Sequence, residues 1–108
     1  MKDEIEIDMD EKFSSIIAQD KPTLVDFSAE WCGPCKAMTP ILEKLKSKVG
    51  DDVRILKVDV DKNPAVADAY RIQSVPTLMV FRSGNLKWQA SGVHSAEQLE
   101  QVIREAAK

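Results

Sequence analysis

Histidine and cysteine are scarce in this chain, with one His and two Cys among 108 residues. A tetrahedral zinc centre draws on about four such ligands, so a metal site lacks the donors it needs, and neither a metal nor another cofactor is expected. No apolar run approaches the roughly 18–20 residues that cross a bilayer, so no membrane association is expected. Residues 1–8 have neither the basic region nor the apolar core of a secretory signal. Basic clusters are missing too. Fifteen Lys and Arg stand against 18 Asp and Glu for a net charge of −3, which argues against nucleic acid as a partner. Repeats, low-complexity tracts and Pro/Gly/Ser linkers are absent. The expectation is therefore a single domain over residues 1–108, taken to be a monomer. Apolar residues make up 44% of the chain, enough to bury a core without a covalent staple.

The two cysteines stand close together, in Trp31-Cys32-Gly33-Pro34-Cys35-Lys36. A disulfide between them would close too small a loop to stabilise much. A structural bridge in a secreted domain is thus a poor reading, and a working dithiol in the reducing cytoplasm a better one. The strand-like Thr23-Leu24-Val25-Asp26-Phe27 runs up to the motif and a helix-like stretch runs away from it. Both thiols then fall at a helix start, where unpaired N–H groups and the helix dipole favour the thiolate. Two such thiols can open a partner's disulfide and then close on each other.

The flanking segments alternate in type. Residues 4–7 read as an edge strand, and Asp10 as the cap of a helix bearing Phe13, Ile16 and Ile17. Residues 23–29 read as a central strand and 53–58 as a second. Met38, Ile41, Leu42, Leu45 and Val49 mark an amphipathic helix over 35–49, with Pro40 inside it. Asn63-Pro64 opens a short helix reaching Tyr70. Residues 77–81 form a third strand, which turns through Ser83-Gly84-Asn85 into a fourth over 86–91. Ser95 and Gln98 form a capping box for a last helix carrying Leu99, Val102, Ile103 and Ala106. A strand–helix–strand unit makes its strands parallel, and a tight hairpin makes the last two antiparallel. The expected class is α/β, a central mixed sheet flanked by helices on both faces, with the cysteines at a strand's carboxyl end.

Taken alone, the residues give graded readings. Cys32, at the motif's outer edge, is the candidate nucleophile with the more exposed sulfur, and Cys35, in the first helical turn, the covered resolving thiol. Asp26 is out of place in an apolar strand. If buried, its neutral form is favoured and it can exchange a proton with Cys35 near neutral pH; on an edge strand it would be merely solvated. Lys57 reads as part of a solvated face, His94 as a surface residue, Pro76 as an ordinary strand-start proline, and Gly92-Val93 as a turn. Trp31 is either core or a rim anchor.

From about Ile5 to the last helix, the chain resembles the thioredoxin family. The matching pieces are the Trp31–Lys36 motif, Asp26, Ala29-Glu30, Pro40, Lys57, Val58-Asp59, Val75-Pro76-Thr77, Gly84 and Gly92. The resemblance implies the thioredoxin fold and a protein-disulfide reductase. Its partners would be disulfide-containing proteins and a flavin-dependent, NADPH-fed thioredoxin reductase. It also implies that Lys57 partners Asp26 and that Pro76 is a cis proline facing the cysteines, beside a Val75 backbone able to pair with a substrate strand. Trp31, Gly33, Pro34, Val60, Val75, Pro76, Gly92 and Val93 would then form an apolar apron around Cys32. Oxidising and isomerising relatives usually carry histidine between the cysteines, so Gly33-Pro34 points to the reducing branch. A thiol oxidase or isomerase is one alternative, and a non-catalytic binding module another. Ser28, where many members carry a second tryptophan, and Trp88, where a smaller residue is common, depart from the family pattern.

Overall fold

A computed structural model describes residues 10–108; the strand expected over residues 4–7 lies outside them. Helix α1 (Asp10–Ile17) is followed by β1 (Thr23–Ser28), α2 (Gly33–Val49), β2 (Arg54–Asp59), α3 (Pro64–Ala69), β3 (Thr77–Arg82), β4 (Asn85–Ser91) and α4 (Ala96–Ala106). Asp10 is the first residue of α1 rather than a cap ahead of it. The sheet order is β2-β1-β3-β4, with β1 and β2 parallel and the other two pairings antiparallel. This is the expected mixed sheet, and β1 lies inside it, buried along its whole length.

Strand residues alternate between faces, and each face meets a different pair of helices. Leu24, Leu78 and Val80 pack with Met38, Leu42 and Leu45 of α2 and with Leu99 and Ile103 of α4. Val25, Phe27, Met79 and Phe81 pack with Phe13 and Ile17 of α1 and with Val66 of α3. The capping box of α4 forms as expected: Gln98 donates its backbone N–H to Ser95 Oγ at 3.1 Å, and Ser95 N–H reaches Gln98 Oε1 at 3.1 Å. Helix α2 starts two residues earlier than expected. Proline in a first turn gives up no intrahelical bond, so Gly33 and Pro34 begin the helix.

The hairpin turn is Ser83-Gly84, both at positive φ (52° and 83°). This is the geometry that suits two-residue connections. Beside it, Arg82 gathers three segments. Its Nε donates to the Asp20 carbonyl at 2.9 Å, just past α1, and one terminal nitrogen donates to the Lys108 carbonyl at 3.0 Å, just past α4.

Candidate active site

Four strand ends converge on one edge of the sheet. The parallel strands β1 and β2 finish there, at Ser28 and Asp59, while antiparallel β3 begins there at Thr77 and β4 ends there at Ser91. The segments 29–36, 60–62, 74–76 and 92–94 are therefore neighbours, although up to about sixty positions separate them in sequence.

Cys32 caps α2. Its extended backbone (φ −91°, ψ 113°) precedes the helix, and Cys35 N–H donates to Cys32 Sγ at 3.1 Å. The two cysteines are joined in a disulfide with Cα atoms 5.3 Å apart. Cys32 Sγ also lies 3.6 Å from the Val75 carbonyl oxygen. A disulfide sulfur has no proton to give, so this is a contact in the oxidised form; a Cys32 thiol could donate along the same line. Ala29 packs with the two cysteines, and Val60 and Val75 lean on them. Cys32 is 4% exposed and Cys35 2%. The expected contrast in exposure is thus small in the oxidised form, because Val60 and Val75 cover the outer sulfur as well.

The rim is uneven. Trp31 is 72% exposed, and its indole N–H donates to Asp61 Oδ2 at 2.9 Å. Asp61 is held in place by Asp59, whose Oδ1 accepts the N–H groups of Asp61 (2.8 Å) and Lys62 (3.1 Å). Asp61 was not among the sequence candidates. Its only signal was the turn chemistry of Asp59-Val60-Asp61-Lys62-Asn63-Pro64, an Asp bonding the backbone two residues on. Val60 N–H donates to the Ser28 carbonyl at 2.9 Å, which fixes Val60 beside the disulfide.

On the opposite rim the Val75–Pro76 bond is cis. Pro76 accepts from Gly92 N–H at 2.9 Å, so the β3 start and the β4 end are pinned together. Gly92 takes φ +90°, a conformation side chains disfavour, and Val93 beside it is 46% exposed. His94, expected at the surface, is half-buried, and Trp88 packs against the α2/α4 core.

Asp26 is fully buried. It shares the α2 face of β1 with Leu24, and in register it stands beside Lys57 on the parallel neighbour. Lys57 is half-buried, not a solvated face, and its Nζ donates to Thr39 Oγ1 at 3.3 Å. Thr39 lies one helical turn beyond Cys35, so the threonine that Lys57 reaches shares a helix face with the cysteine. Among the described residues no group of three or more His, Cys, Asp or Glu could hold a metal ion, and no helix is long and apolar enough to cross a membrane.

The thioredoxin family model matches residues 4–105. A thioredoxin-like protein of Synechocystis is 48% identical over 84 residues, covering 78% of this chain and 80% of its own. A thioredoxin of Alicyclobacillus acidocaldarius is 44% identical over 91 residues, covering 84% and 87%. The oxidised mitochondrial thioredoxin 3 of Saccharomyces cerevisiae superposes with a TM-score of 0.86 at 33% identity, over 96% of each chain.

Proposed function

Because the chain belongs to the thioredoxin family, thiol–disulfide oxidoreductases whose redox-active cysteine pair is here Cys32 and Cys35, we propose that it reduces protein disulfides, with Cys32 attacking and Cys35 resolving. The observation that carries this reading is the N–H of Cys35 donated to Cys32 Sγ at a helix start. In the reduced protein that donor and the helix dipole favour negative charge on Cys32, the attacking form.

The Cys32 thiolate attacks one sulfur of the substrate disulfide. That S–S bond breaks, and the departing substrate thiolate takes up a proton. Cys35 then loses its proton and attacks Cys32 Sγ in the mixed disulfide, which releases the second substrate thiol. The protein is left with the Cys32–Cys35 disulfide, the oxidised form described above. Asp26 is the proton acceptor for Cys35 in this scheme: full burial disfavours its charged form, so it holds and returns a proton near neutral pH. Lys57, beside it in register, moderates that preference. Trp31, Gly33, Pro34, Val60, Val75, Pro76, Gly92 and Val93 receive the substrate. An extended segment would run along the Val75 backbone, with apolar side chains against the rim. Two electrons from a flavin-dependent, NADPH-fed thioredoxin reductase would return the pair to the dithiol, and a reducing compartment such as the cytoplasm suits that cycle.

The test is reduction of insulin disulfides by dithiothreitol, followed by turbidity, and by NADPH with a thioredoxin reductase, followed at the nicotinamide absorbance. Catalytic amounts of the protein are expected to accelerate both. A protein that exchanges with a small disulfide but leaves insulin intact overturns the reading.

A further inference from the structure

We infer that His94 is a positioning residue for protein substrates: its ring holds the Gly92–Val93 rim in the shape that an incoming chain meets. This rests on the protein-disulfide reductase reading above and adds a residue to which that reading gives no part.

The ring is fixed on two sides. His94 Nδ1 lies 3.0 Å from the Gly92 carbonyl oxygen. A carbonyl only accepts, so Nδ1 carries the proton in this contact, which also sets the tautomer of the neutral ring. Its plane meets the Trp88 indole nearly edge-on, at 88° with centroids 5.4 Å apart, an arrangement aromatic rings favour. Trp88 in turn packs against the α2/α4 core. The histidine therefore links the rim to the interior through the side chain at position 88.

What it holds is the short segment between the end of β4 and the cap of α4. Gly92 sits at φ +90°, and glycine has the widest range of backbone conformations open to it. Two bonds restrict it here: its N–H donates to Pro76 O at 2.9 Å, and its carbonyl accepts from His94. The first bond ties the rim to the residue after Val75, whose carbonyl faces Cys32 Sγ at 3.6 Å. The second fixes the direction in which the chain leaves Gly92. The next residue, Val93, is 46% exposed and stands beside that path. A protein segment paired with the Val75 backbone must pass this rim. A small disulfide needs only the Cys32 sulfur and does not.

The two substrate sizes therefore separate the roles. Asn at position 94 places its side-chain nitrogen where Nδ1 stands. Gln reaches to the Nε2 position instead, and Leu has no donor. Steady-state kinetics with insulin and with a small aromatic disulfide should be measured for the wild type and for His94→Leu, His94→Gln and His94→Asn. In the Leu and Gln variants KM for insulin should rise about three- to tenfold, as expected for one lost hydrogen bond. Their kcat and their rate with the small disulfide should not change. His94→Asn should restore most of the insulin KM. Amide exchange at Gly92, followed by NMR, should quicken in the Leu and Gln variants and recover in the Asn variant. An unchanged insulin KM, an equal loss on both substrates, or an Asn variant no better than Leu overturns the role of His94 alone. A wild type inactive on insulin but active on the small disulfide overturns the reductase reading, and this inference with it.

Discussion

On one face of the sheet four aromatic rings meet. Phe13, Phe27, Tyr70 and Phe81 have neighbouring centroids 5.4–6.4 Å apart, mostly tilted or edge-on. On the other face the packing is aliphatic, with Leu24, Leu42, Leu45, Leu78 and Leu99 at its centre, and Asp26 and Lys57 are set among them. Both arrangements share single strands: Val25 and Phe27 point one way, and Asp26 between them points the other. The aromatic face holds large apolar rings, and burial raises the Tyr70 hydroxyl above its ordinary pKa, which keeps it neutral. The face beneath the cysteine helix carries the acid and the lysine. A strand buried on both sides lets one layer pack aromatic rings while the other accommodates a fully buried carboxyl. On the proposed mechanism stability and redox chemistry are separated by a strand's thickness, so substitutions on the two faces should have opposite signatures.

The largest effect expected is on the chemical face. Cys35→Ser leaves an attacking thiol without a resolving one, so turnover on insulin should fall to background while a mixed disulfide accumulates through Cys32, visible by non-reducing electrophoresis. Better trapping by Cys32→Ser would reverse the assigned roles. On the aromatic face, Phe13→Ala should lower stability by about 3–5 kcal/mol, the range for an emptied aromatic site, read from urea unfolding. Activity per folded molecule should be unchanged; a matching loss of activity would mean that the faces are not separable.

Asp26→Ala should act in the opposite sense on both counts, and its stability change should be smaller. The proton-acceptor role proposed for Asp26 requires a folded pKa above the unfolded value, the direction in which full burial acts. Its ionisation penalty is then absent below the unfolded pKa and grows as pH rises through the folded one. The alanine variant should therefore gain stability at neutral pH, show no gain in acid, and reduce insulin more slowly. A lower unfolding midpoint at pH 7 with full activity would overturn this. The smallest effect belongs to Glu97 at the start of α4. The hydrogen bond from Lys44 (2.9 Å) holds its carboxyl below the ordinary range, helped by its own backbone N–H and by the lysine charge. A depressed folded pKa gives stability above the unfolded value that is lost as pH falls through the folded one. Glu97 is fully exposed and water screens the pair, so Glu97→Gln should shift the neutral thermal midpoint only slightly. That difference should vanish in acid and in high salt; a shift as large as that of Phe13→Ala would contradict the screening.

The order of elements and the cysteine strip were legible because they rest on local signals: the apolar run in residues 23–29, helical spacing after Met38, and two closely spaced thiols between a strand and a helix. Asp26 stood out because a carboxylate interrupts an apolar run. The aromatic cluster was not legible, since Phe13, Phe27, Tyr70 and Phe81 come from four segments and only sheet register brings them together. The same holds for Thr39 beneath Lys57 and for Asp61 at the Trp31 indole. Both contacts depend on where one element lies over another, which periodicity does not encode. The shielding of Cys32 was missed because the covering residues, Val60 and Val75, arrive from β2 and from the approach to β3.

Arg82 ends β3 at the pole opposite Pro76, and it holds the carbonyl of Lys108 there. A six-residue strand spans roughly 20 Å, so anything attached after Lys108 leaves the molecule on the far side from Cys32. The protein can therefore be tethered to a bead, an electrode or a fusion partner through that end with its redox edge facing outward.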